Sequence, residues 1–101
     1  VRLVEAKTLI QAALSQVPQD PFVTDSLGWV LFRLGEHEQA IEVLQRAWAS
    51  RSDAEIAAHL GEVLWTVGRQ DEAKQTWAQG LALSPDNDTL RSTLRRLGVR
   101  L

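Results

Sequence analysis

The stretch Asp25–Ala40, DSLGWVLFRLGEHEQA, is restated 33 residues later as AHLGEVLWTVGRQDEA, Ala58–Ala73. Leu27, Gly28, Val30, Leu31, Gly35 and Ala40 recur as Leu60, Gly61, Val63, Leu64, Gly68 and Ala73. A period of this length marks a chain built from copies of one supersecondary unit, each of which needs a neighbour to cover its apolar face. The repeat therefore constrains the architecture before any single residue is interpreted.

Proline and glycine punctuate the chain at Pro18, Pro21, Gly35, Gly68, Pro85 and Gly98, and the stretches between them carry apolar residues at helical spacing. The expected fold is all-α, with helices over about 2–17, 21–34, 37–50, 53–67, 70–83 and 86–97. Asp20 before Pro21 is a helix N-cap with proline at the first helical position. Gly35 and Gly68 stand where a helix ends in a left-handed residue. Turns this short make consecutive helices antiparallel.

Gly28 and Gly61 fall in the middle of helices, where glycine costs about 1 kcal/mol relative to alanine. Their recurrence implies that another helix passes too close for a side chain. Ala40, Ala47, Ala73 and Gly80 play the same part on the second helix of each pair, with Leu27, Leu31 and Leu44, then Leu60, Leu64 and Trp77, filling the space around them.

These positions resemble the tetratricopeptide repeat, a helix-turn-helix unit of about 34 residues. Counted from Pro21, the hallmark places fall on Leu27, Gly28, Leu31, Ala40, Leu44 and Ala47. Counted from Ala54, they fall on Leu60, Gly61, Leu64, Ala73, Trp77, Gly80 and the closing Pro85. Ala6, Ile10, Ala13 and Pro18 match only the second half of a unit. The resemblance implies a solenoid of antiparallel helix hairpins: a truncated repeat over 1–20, units at 21–53 and 54–87, and a capping helix and tail at 88–101. The first full unit is one residue short and has Ser52 near the place of the closing proline. The segments DSLGWVLFRLGEHEQA, AEIAAHLGEVLW and LRSTLRRLG also resemble the C-terminal repeats of long proteobacterial members, several of them periplasmic outer-membrane lipoproteins acting as scaffolds or adaptors. That likeness implies a cell-envelope location, and a start at Val1 fits a segment of a longer protein.

No chemistry-bearing constellation accompanies this scaffold. There is no cysteine, so no thiolate zinc site and no thiol nucleophile, and no phosphate loop, HExxH or GxSxG motif. A formal net charge of −2 speaks against nucleic acid as the main partner, and no apolar run is long enough to span a bilayer. His37 is expected as a solvated turn residue. His59 and Glu62, at i and i+3, resemble half of a di-metal carboxylate site. A metal would need further donors from Asp25 or Glu55, so polar lining is the simpler reading and no cofactor or metal is expected. Arg91, Arg95, Arg96 and Arg100 form a basic run, read as a solvated face or as a contact for an acidic partner or anionic lipid.

The resemblance implies that the first helix of each pair lines a concave surface. Its lining positions map onto Phe22, Asp25, Ser26, Trp29, Phe32 and Arg33, and onto Glu55, Ala58, His59, Glu62, Trp65 and Thr66. Here the two quoted stretches differ: the skeleton builds the stack while the lining can carry specificity. Trp29 and Trp65 are expected to be partly accessible, or else packed against a neighbouring helix, and Trp48 and Trp77 to be buried. Family members that clamp chaperone C-termini need lysine, arginine and asparagine where Asp25, Trp29 and Glu62 stand, which sets that subclass aside. The sequence thus points to a non-enzymatic module that binds an apolar or basic protein segment. The alternative is self-association through the N-terminal helix, where Leu3, Ile10 and Leu14 lack a covering partner.

Overall fold

The computed structural model describes residues 2–16 and 20–101. Within them run six helices: α1 (Arg2–Gln16), α2 (Pro21–Arg33), α3 (His37–Ser50), α4 (Ala54–Thr66), α5 (Gln70–Leu83) and α6 (Asp88–Leu97). Pro18, expected to close the truncated unit, lies outside the described residues. The chain forms two compact units, Val1–Arg51 and Ser52–Leu101.

The helix boundaries follow from local chemistry. The Asp20 carboxylate accepts hydrogen bonds from the backbone N–H groups of Phe22 and Val23, at 2.9 and 3.1 Å. Asp53 accepts from Glu55 N at 2.9 Å, and Asn87 Oδ1 from Leu90 N at 2.9 Å. Each side chain satisfies donors that a helix start leaves open. The same three helices end alike. Gly35, Gly68 and Gly98 take φ of 84°, 90° and 68°, and the next residue's N–H reaches back to Leu31 O, Leu64 O and Leu94 O at 2.9 Å in each case. This Schellman closure needs a left-handed residue, which glycine adopts without strain.

In the first unit α2 packs on α3, and α1 packs on α2. The core is Leu27 and Leu31 of α2 against Ala40, Ile41, Val43, Leu44 and Ala47 of α3. A Cβ on Gly28 would come within 2.5 Å of Leu44 Cγ, so the glycine is the space into which Leu44 inserts. In the second unit α4 packs on α5 and on α6. There Trp77, fully buried, occupies the matching space against Gly61, and its indole N–H donates to Ala58 O at 3.4 Å. On α5 a Cβ at Gly80 would meet Ala57 Cβ at 2.6 Å. The close approaches expected from the repeated glycines are thus present in both hairpins.

Trp48 departs from expectation: it is half-buried, not in the core. The buried stripe of α3 runs through Leu44 and Ala47, and one further residue rotates Trp48 about 100° off that stripe. Its counterpart one period later, Leu81, is half-buried as well. His37 also differs, since it opens α3 half-buried with its ring 5.2 Å from that of Phe32. α1 contributes no buried residue, and Leu9 is 71% exposed. It is tied to the α2–α3 turn by the Lys7–Glu36 ion pair, at 3.3 Å.

Candidate interaction surface

With one side of α2 committed to α3, its remaining surface carries the aromatic residues that the repeat leaves variable. Trp29 and Phe32, one turn apart, are both half-buried with ring centroids 5.1 Å apart and planes tilted by 39°. Tilted contact at this distance suits the ring quadrupoles and holds the pair in place while leaving part of it open. Phe22, at the N-terminal end of α2, is 47% exposed, and the Arg51 guanidinium carbon sits 5.6 Å from its ring centroid. Arg33 is exposed at the other end. Asp25, however, is only 7% exposed and offers little carboxylate to a ligand.

On α4 the two glutamates are engaged within the unit. Glu62, also 7% exposed, pairs with Arg96 of α6, Nη2 to Oε1, at 2.5 Å. That hydrogen bond is the leading cause holding the Arg96 guanidinium above its ordinary pKa. Glu55 accepts from Asn87 Nδ2 at 3.2 Å. The exposed Thr66 hydroxyl donates back to Glu62 O at 2.8 Å. His59 is half-buried. Trp65 is half-buried with its ring 5.7 Å from that of Trp77, so its inner edge rests on the core and its outer edge remains accessible.

The two helices therefore offer different surfaces. α2 presents Phe22, Trp29 and Phe32 with Arg33; α4 presents Trp65, His59 and Thr66, its two glutamates being bonded to α6. Sequence reasoning missed Asn87 and Arg96 as partners of these glutamates. One signal was present: Glu62 and Arg96 each stand nine residues after their helix N-caps, Asp53 and Asn87, so equivalent places on two packed helices carry opposite charges. Among the described residues, no three His, Asp or Glu side chains gather as a metal site would require. No helix there is long and apolar enough to cross a membrane.

Comparison with known proteins agrees with this organisation. The tetratricopeptide repeat family model matches residues 2–55 and 26–88. A TPR repeat-containing protein of Pseudomonas aeruginosa is 45% identical over 93 residues, covering 92% of this chain and 16% of its own length. Mouse anaphase-promoting complex subunit 7 is 31% identical over 83 residues, 82% of this chain and 15% of that protein. Human protein O-mannosyl-transferase TMTC1 is 35% identical over 72 residues, 71% of this chain and 8% of that protein. This chain thus spans less than a fifth of each relative. Among solved structures, the TPR protein TTC0263 of Thermus thermophilus superposes with a TM-score of 0.83 at 28% identity, over 96% of this chain and 50% of that one. The repeated skeleton, the paired helix hairpins and these matches together place the chain in the tetratricopeptide repeat family.

Proposed function

We propose that this chain is a protein–protein interaction module that holds an apolar segment of a partner against the aromatic face of α2, with no catalysis of its own. Repeats of this family generally mediate protein–protein contacts and are typically non-catalytic scaffolds. The observation that carries the reading is the Trp29–Phe32 pair, half-open on a helix whose opposite side is packed. Large, rigid, partly exposed aromatics lose little entropy on binding and dominate interface energetics. Asp25 is buried and Glu62 is paired, so an apolar segment suits the surface better than a basic one. Trp65, with His59 and Thr66, forms a separate candidate contact on α4.

The test is selection of binding peptides from a displayed library on the intact chain, followed by affinity measurement with variants. Trp29→Ala should weaken a selected apolar peptide by about 30-fold, or roughly 2 kcal/mol, with little loss of fold stability. Selected peptides indifferent to Trp29→Ala and Phe32→Ala would reject the α2 face. A second reading, self-association through α1, draws on the exposure of Val4 and Leu9. Light scattering across concentration separates the two, since a dimer abolished by Leu9→Asp favours association. A cell-envelope location is a further proposal, resting on the proteobacterial resemblance and tested by fractionation of cells expressing the parent protein.

A further inference from the structure

α6 repeats the first-helix position of the two hairpins but has no second helix folded over it among the described residues. Counted from the N-caps Asp20, Asp53 and Asn87, Leu94 stands where Leu27 and Leu60 stand. Leu27 and Leu60, covered by α3 and α5, are 8% and 3% exposed; Leu94 is only half-buried. The next place, Gly28 in α2 and Gly61 in α4, is Arg95 in α6. A helix entering as Leu44 and Trp77 enter would meet a guanidinium stem instead of an open glycine. What remains beside α6 is a cleft of about 610 Å³ between Leu81 of α5, α6 and the Val99–Leu101 tail.

The charge of this cleft is opposite to that of the chain. The net charge is −2, yet from Thr89 to Leu101 there are four arginines and no acidic residue. Arg96 is taken up by Glu62. Arg91, Arg95 and Arg100 line the cleft, around an apolar floor that includes Leu94 and Val99. Arg91 donates to Pro85 O at 2.8 Å, which fixes it beside the opening. The side chains of Arg95 and Arg100 are exposed and make no ion pair or hydrogen bond among the described residues.

We infer that this basic-rimmed apolar cleft docks an acidic amphipathic helix of a partner protein, its apolar residues against Leu94 and its carboxylates on Arg91, Arg95 and Arg100. The shape follows from the fold, because the cleft stands where a helix covers α2 and α4. The chemistry follows from Arg95: any occupant must bring negative charge where the internal second helices bring leucine or tryptophan. The surface is separate from the α2 aromatic face, so either can fail alone.

The probe is a fluorescently labelled designed helix with leucine at helical spacing and glutamate elsewhere, titrated with the intact chain and followed by anisotropy. A lysine-for-glutamate counterpart and phosphatidylglycerol vesicles serve as comparisons. The expected result is binding of the glutamate helix alone, weakened by added salt. Arg95→Glu or Arg100→Glu should weaken it about tenfold or more, Leu101→Asp should weaken it measurably, and Trp29→Ala should leave it unchanged. Arg95 and Arg100 are exposed and unpaired, so these charge reversals leave the fold intact, as circular dichroism would check. No binding, equal binding of the lysine helix, or indifference to Arg95→Glu and Leu101→Asp would overturn the inference. Adsorption to vesicles without binding of the helix would assign the arginines to lipid and overturn it equally.

Discussion

The indole of Trp77 occupies the space that a side chain at Gly61 would need: a Cβ there would fall 2.5 Å from both Cδ1 and Cε2 of the ring. In the first hairpin Leu44 fills the same space against Gly28, with its Cγ 2.5 Å from the added carbon. One device thus locks both hairpins, with different knobs. Both side chains are fully buried, but leucine is the smaller and more flexible of the two, whereas the rigid indole shifts only as a whole.

Mid-helix Gly→Ala changes ordinarily stabilise by up to about 1 kcal/mol. Here both should destabilise. Gly61→Ala should cost on the order of 1–3 kcal/mol by overpacking, and Gly28→Ala less. Urea denaturation of the two variants measures this, and stabilisation at both sites would remove the close-packing account.

Trp77 and Trp29 should separate stability from binding. Trp77→Ala empties a fully buried site in the second unit and should cost about 3–5 kcal/mol. Single Trp→Phe variants titrated with acrylamide should show that removing Trp29, Trp48 or Trp65 lowers the quenchable fraction of the emission. Removing Trp77 should not, because only its indole is fully enclosed.

Glu62 is held by a partner that is itself largely solvated, which sets the size of the effect. Arg96→Ala removes the ion pair from a glutamate whose side chain is 10% exposed, and an unmade bond to such a group costs about 1–3 kcal/mol. Water reaches the Arg96 side, so the lower end of that range applies, about 1 kcal/mol. Hydrogen exchange should localise the loss: α6 amides accelerate while those of α3 do not change. Uniform acceleration of both would show that the pair does not act on the α6 contact.

Glu72 supplies the pH dependence. Arg69 Nε and Nη2 donate to its two carboxylate oxygens at 2.9 and 2.7 Å, and this hydrogen bonding holds its pKa below the usual glutamate value. A lowered folded-state pKa means that the pair's stabilisation is present above the ordinary glutamate pKa and is lost as pH falls through the lowered one. Carboxyl carbon shifts in a pH titration should place Glu72 below the usual glutamate value, and Arg69→Ala should raise it back toward that value.

The skeleton was legible because each of its residues answers to a neighbour on its own or the adjoining helix. Leu27 and Gly28 against Leu44, and Leu60 and Gly61 against Trp77, all follow from one register. The polar network was less so. Glu62 reads as open lining until α6, 34 residues on, brings Arg96 against it. Asp25 likewise gave no sign of its burial, since a short acid on a mostly apolar helix can face either way. Trp48 was expected on the buried stripe of α3 but stands one residue past Ala47, about 100° off it, and an offset of one residue at a helix's end is not fixed by the repeat spacing alone.

The claim that α2 carries the binding face is tested most directly by the four indole N–H resonances of the intact chain, assigned with Trp→Phe variants and followed while a selected apolar peptide is added. The Trp29 resonance should shift or broaden with the affinity measured independently, and that of Trp77 should stay in place. A peptide that binds while the Trp29 signal stays fixed would contradict the account.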